Sequence, residues 1–189
     1  MKIKIGLIAV LLGLLSMTNV PAQKATTKAT TKAAPTKFTS VYTSLSKNCK
    51  TLPGSNGSDD AAICKGAGGY QVRHFYSAAS THFVAELKGN DEVAIDIATL
   101  SVGYEQKNTV LEWRLANGKP FAVIMRVPTY AEPVGDEQYF GKVNGQKLVV
   151  VGLIGFQETV SGEVNANKAN ANVKARALAD KAYTAAKAK

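Results

Sequence analysis

Glu112 and Arg114 flank Trp113 in the run Val110-Leu111-Glu112-Trp113-Arg114-Leu115. Residues two apart in an extended chain project to one side, so the two charges would rise together from a strand. A carboxylate, a guanidinium and an aromatic ring in one place suit a sugar or a peptide carboxylate, which makes Glu112 and Arg114 the candidate ligand contacts. The competing reading is an ion pair on a strand surface, which needs no ligand.

His74 and His82 are the only histidines. If Tyr76 pairs with His82 across a hairpin, then His74, His82 and Glu86 share a face, and those types ligate zinc or copper. Histidines facing solvent or hydrogen-bonded on a strand explain the same residues without an ion, and no cofactor is implied. Asp59-Asp60 lacks the alternating acids of a calcium cage. Gly66-Ala67-Gly68-Gly69 resembles a phosphate loop in composition alone. Phosphate loops open a helix after a strand, whereas this one follows Cys64 and runs into Tyr70-Gln71-Val72-Arg73-His74-Phe75, so a tight turn is expected. No Gly-x-Ser-x-Gly elbow is present, and a serine–histidine–aspartate set has no local support.

Cys49 and Cys64 are the two cysteines, separated by the turn-forming run Pro53-Gly54-Ser55-Asn56-Gly57-Ser58-Asp59-Asp60. In an exported chain such a pair is expected as a disulfide. Export is what the first 22 residues suggest. Lys2 and Lys4 precede an apolar run from Ile5 to Met17, and Val20-Pro21-Ala22 offers a small residue for cleavage. The run falls short of the roughly 17–25 apolar residues of a spanning helix. The expectation is a periplasmic or secreted protein with no transmembrane segment after cleavage.

The elements that would position these residues are mostly strands. Short apolar runs between turn residues predict strands at 39–45, 70–76, 82–88, 93–102, 109–115, 121–127 and 147–156, with no room for parallel crossovers. Asn117-Gly118 predicts a type I′ hairpin. That turn would place Trp113 opposite Ala122, Leu111 opposite Ile124 and Thr109 opposite Arg126, with Arg126 on the side away from Glu112 and Arg114. Both faces of the hairpin are apolar, so a second sheet, barrel closure or a helix must cover each. Leu148-Val149-Val150-Val151-Gly152-Leu153-Ile154 lacks alternation and suits a central strand buried on both sides. Ala171, Ala175, Leu178, Ala182 and Ala185 form a thin helical stripe, with Asn170 or Asn172 as N-cap and a frayed end near Lys187 and Lys189.

The fold class is therefore mainly β (α+β): an antiparallel sheet, sandwich or partly closed barrel, with an Ala-rich C-terminal helix. The expected domains are a signal peptide at 1–22, a disordered Lys/Thr/Ala linker at 23–37, a β domain at 38–164 and the C-terminal helix within 165–189. The linker has no large apolar residue to offset its ordering entropy. The net charge of +9 is unevenly placed: the linker carries +4 and residues 165–189 carry +5, while 38–164 holds 11 basic and 13 acidic residues. A near-neutral body does not suit a nucleic-acid binder. Cationic ends suit an anionic envelope surface, such as lipid head groups or acidic glycans, or simply solubility.

Taken together, Cys49, Cys64-Lys65-Gly66-Ala67-Gly68-Gly69-Tyr70, Glu112-Trp113-Arg114 and Gly118-Lys119-Pro120-Phe121-Ala122-Val123-Ile124-Met125-Arg126 resemble a group of small exported bacterial proteins. The resemblance covers roughly the body from Phe38 to Asp180. It implies an extracytoplasmic bacterial location and carries no assigned activity. The reading is a non-enzymatic binding module or inhibitor of the envelope. Its alternatives are a hydrolase acting on glycan or peptidoglycan, and an envelope scaffold with cationic tails.

Overall fold

The structure, a computed structural model, describes residues 34–52, 61–77, 79–101, 110–134 and 139–188. The expected signal at 1–22, the linker up to residue 33 and the turn segment 53–60 lie outside the described residues. Ten strands and one helix are described: β1 (Phe38–Ser44), β2 (Cys49–Leu52), β3 (Ala61–Lys65), β4 (Tyr70–Ser77), β5 (Ser80–Leu87), β6 (Asn90–Ser101), β7 (Val110–Ala116), β8 (Lys119–Tyr130), β9 (Val143–Gly152), β10 (Ser161–Asn165) and α1 (Ala171–Lys187). They form two antiparallel five-stranded sheets, ordered β1-β7-β8-β9-β10 and β2-β3-β4-β5-β6, which do not close into a barrel.

The two sheets pack face to face. Leu111, Trp113, Leu115, Val123, Met125 and Val127 of the first meet Val72, Phe83, Ala85, Ile95 and Ile97 of the second. The other face of the first sheet is covered by α1, which buries Ala171, Ala175 and Ala179 against Phe121, Ala122, Ile124, Leu148 and Val150. The two apolar faces of the hairpin are thus met by a second sheet and a helix. The run at 148–154 is likewise buried on both sides, with Leu148 and Val150 toward the helix and Val149 and Val151 toward the inter-sheet core. It begins within β9, which is second from the edge; the central strand is β8.

Two tyrosines pin the sheets together. The Tyr70 hydroxyl of β4 accepts the Ile154 amide at 3.3 Å, and the Tyr130 hydroxyl of β8 accepts the Ser101 amide at 3.0 Å. Burial raises the Tyr70 pKa above that of an ordinary phenol, because a phenolate would lose its hydration there; the bond from Ile154 opposes this more weakly.

The Asn117-Gly118 hairpin has both central residues at positive φ, +49° and +81°, as a type I′ turn requires. Its expected register holds for Ala116 opposite Lys119 and Leu115 opposite Pro120, then slips by one: Arg114 faces Ala122, Trp113 faces Val123 and Leu111 faces Met125. Pro120 has no N–H for the ladder, and the extra residue Phe121 is absorbed as a bulge. The slip turns β8 over. Val123 and Met125, not Ala122 and Ile124, join Trp113 in the inter-sheet core, and Phe121 and Ala122 both face the helix. Thr109 lies outside the described residues.

The end of the helix also departs from expectation. Tyr183 stacks on Phe156 at 5.0 Å and meets Phe121 at 4.7 Å, and the Lys187 ammonium lies 5.4 Å over the Phe156 ring. The aromatic ring supplies what the alanine stripe lacks, so α1 stays packed to its last turn. Ala185 is exposed.

Candidate functional site

β7 raises Glu112 and Arg114 on its helix-facing side, as two-residue spacing dictates, and α1 answers both charges. Arg176 donates through Nε to Glu112 Oε1 at 2.6 Å and through Nη2 to Oε2 at 3.2 Å. Arg114 donates through Nε to Asp180 Oδ1 at 2.8 Å and through Nη2 to Oδ2 at 2.6 Å. Ser40 of β1 joins the pairs, donating to Glu112 Oε1 at 2.5 Å and accepting from Arg114 Nη1 at 3.0 Å. Tyr42 takes a further bond from Arg176 Nη2 at 2.8 Å. The hydrogen bond from Arg176 to Glu112 pushes the guanidinium pKa above its ordinary value. Only 7% of Glu112 reaches solvent. The carboxylate–guanidinium group expected to hold a ligand therefore holds the helix. Arg176 and Asp180 were not singled out in the sequence, although their spacing of four along a helix was a readable sign of one charged face.

Arg126 lies on the same face as Glu112 and Arg114, not the opposite one, because the bulge at Phe121 inverts β8. It is exposed and reaches Gln146 Oε1 at 3.5 Å and Asn172 Oδ1 at 3.4 Å.

His82 and Glu86 share a face of β5, but His74 is not brought together with them. Tyr76 pairs with Thr81, so His82 pairs with Phe75 and shares its outer face, while His74 pairs with Phe83 on the inner face. The His82 ring stacks on Phe75 at 5.0 Å. Its Nε2 lies 2.9 Å from Ser80 Oγ and its Nδ1 3.2 Å from Thr99 Oγ1. Glu86, 1% exposed, is taken by Arg73, which bonds it through Nε at 2.8 Å.

Cys49 and Cys64 stand opposite each other in β2 and β3 and form the disulfide. The sulfurs and a ring nitrogen of His74 lie within 4.8 Å of one another. The glycine run is the β3–β4 turn. A Cβ on Gly66 would stand 2.6 Å from Trp113 Cζ2, and Gly68, at φ +60°, sits against the Pro120 ring. These glycines let the turn seat on Trp113 and leave no helix N-terminus for a phosphate.

A polar rim lies where β8, β9 and β10 meet the start of α1. One open depression of about 410 Å³ is lined by Arg126, Lys168, Asn170, Asn172 and Arg176, with Ala166, Ala171 and Val173. A second, of about 380 Å³, is lined by Thr129, Asn144, Gly145, Gln146, Lys147, Glu163, Asn165 and Asn167. The Arg126–Gln146 bond joins them. Six carboxamides thus stand along one rim, with Arg126 and Lys168 exposed among them. The first turn of α1 has no acidic residue and its N-cap Asn170 makes no side-chain cap, which leaves the positive end of the helix toward this rim. Sequence reading missed the rim: Asn165, Asn167, Asn170 and Asn172 lie in one short stretch, but Arg126, Asn144 and Gln146 join them only through the pairing of β8, β9 and β10.

No helix among the described residues is long and apolar enough to cross a membrane. No family model matches the chain, and neither the curated proteins nor the solved structures gave a match to it.

Proposed function

We infer that this is an exported bacterial envelope protein that acts as a non-enzymatic binding module, and that its ligand is an acidic glycan. The observation that carries the reading is the carboxamide rim around Arg126. A carboxamide offers both a donor and an acceptor, which matches a sugar hydroxyl, and a guanidinium matches a uronate carboxylate. The Cys49–Cys64 disulfide supports an oxidising compartment. The clasp that the Glu112–Arg176 and Arg114–Asp180 ion pairs form between β7 and α1 supports the choice of the rim over Glu112 and Arg114, since those two charges are spent on the helix.

The test is calorimetric titration of the protein with a galacturonic acid tetramer, beside a neutral glucose tetramer. Binding of the acidic tetramer that is lost in Arg126→Ala and weakens with salt supports the reading. Equal binding of both sugars, or of neither, counts against it.

A further inference from the structure

We propose that Cys49, Cys64 and His74 form a thiol-gated site for a thiophilic d¹⁰ cation, Cu(I) foremost, closed while the disulfide stands and opened by its reduction. All three project from one face of adjacent strands. Cys49 pairs with Cys64 across β2 and β3, Cys64 pairs with Val72 across β3 and β4, and His74 lies two residues beyond Val72. The ladder that aligns them consists of backbone hydrogen bonds and does not depend on the sulfur–sulfur bond. Three donors at about 2.3 Å from one ion stand roughly 4 Å apart. Two sulfurs and an imidazole nitrogen within 4.8 Å of each other meet that demand after the sulfurs separate by side-chain rotation.

The ligand types select the ion. Two thiolates and an imidazole are a soft set, and no fourth His, Cys, Asp or Glu among the described residues joins the cluster. Three-coordinate Cu(I) is satisfied by such a set, whereas Zn(II) needs a fourth ligand in a place where Cys64 and His74 are buried. Cys49 is only half-buried on an edge strand, which gives the ion an entry path.

The chemistry balances with a dithiol as reductant. The dithiol gives two electrons and two protons to the Cys49–Cys64 bond, yielding two cysteine thiols and its own disulfide. The cation then displaces both thiol protons and forms two metal–sulfur bonds and one metal–nitrogen bond with no change in its own charge. A small-molecule disulfide reverses this: it takes the two electrons of the thiolates and two protons from water, leaves as its dithiol, and the restored Cys49–Cys64 bond releases the cation.

The experiment is anaerobic competition for Cu(I) against bicinchoninate, with near-ultraviolet circular dichroism to show that the reduced protein stays folded. The reduced wild type should withdraw about one equivalent of Cu(I), and the oxidised protein none. His74→Phe should weaken the competition by roughly ten-fold or more, the loss common even for an outer-shell partner. Cys49→Ser should abolish it. The proposal is overturned if folded, reduced wild type withdraws no copper, or if Cys49→Ser competes as well as wild type. Thiol alkylation in the wild type provides the readout that needs no variant: Cu(I) should protect both cysteines, and unprotected thiols in its presence would equally overturn the site.

Discussion

Glu112 and Arg176 meet across the junction of sheet and helix in a two-bonded ion pair, one residue 9% and the other 33% exposed in its side chain. That asymmetry decides which partner is costly to lose. Arg176→Ala leaves a carboxylate stranded at a buried position, whereas Glu112→Ala leaves a guanidinium that can turn to water.

Urea unfolding should therefore show Arg176→Ala costing about 2–4 kcal/mol and Glu112→Ala about 1–2 kcal/mol. The double variant should cost less than both together, with a coupling of about 1–2 kcal/mol. Additive losses would show that the pair does not act as a clasp. Because the Arg176 pKa is raised in the fold, its contribution is fully present at neutral pH and is lost only as pH rises beyond the arginine range.

Two glycines should fail for different reasons. Gly66→Ala puts a methyl against the Trp113 ring and the Tyr70 carbonyl, so about 1–3 kcal/mol of overpacking is expected although its φ is not positive. Gly118 has open space around its missing Cβ but a φ of +81°. Gly118→Val should cost about 1–3 kcal/mol, and Gly118→Asn distinctly less, since asparagine tolerates that region. Thermal unfolding of the three variants checks the contrast, and equal losses at Gly118 would refute the turn assignment.

How far the sequence carried this fold depends on the range of each signal. Asn117-Gly118 announced its turn because the requirement for positive φ is local. The strand pairing beyond it was not legible, because one proline within β8 shifts the register and exchanges which residues meet Trp113. β2, β3 and β10 were missed as well: β2 is four residues long and the other two are five, with little apolar alternation. That Glu112 and Arg114 share one face follows from their spacing of two along a strand. Their partners lie 64 and 66 residues away on a helix whose docking follows from tertiary packing alone. Tyr183 closes the helix end for the same reason, through Phe156 and Phe121.

Tyr70 predicts an alkaline limit. Its folded pKa is raised by burial, so both folded and unfolded states carry the proton below about pH 10, and stability is unaffected there. Above that, the unfolded chain ionises first and stability falls as pH rises through the folded value. Tyr70→Phe should cost about 0.5–1.5 kcal/mol at pH 7, from the lost bond to Ile154, yet lose less stability than wild type between pH 10 and 11. Parallel pH curves for the two proteins would contradict this.

Reduction of Cys49–Cys64, or Cys49→Ser, should lower stability by about 2–3 kcal/mol, since the bond restrains a separation of 15 residues in the unfolded chain. The folded sheet should persist, because β2 and β3 remain paired by their ladder. Near-ultraviolet circular dichroism with and without a dithiol checks both statements; collapse of the spectrum on reduction would contradict the second.

The binding account stands or falls on the rim around Arg126, and titration with the galacturonic acid tetramer measures it directly. Binding by wild type should weaken about ten-fold or more in the double variant Arg126→Ala with Asn165→Ala. The melting temperature should change little, because both side chains are exposed. In Arg114→Lys, which spares the rim, affinity should be unchanged even where stability falls. Undiminished binding by the rim variant, or binding lost in the clasp variant while it remains folded, would place the ligand elsewhere and contradict the account.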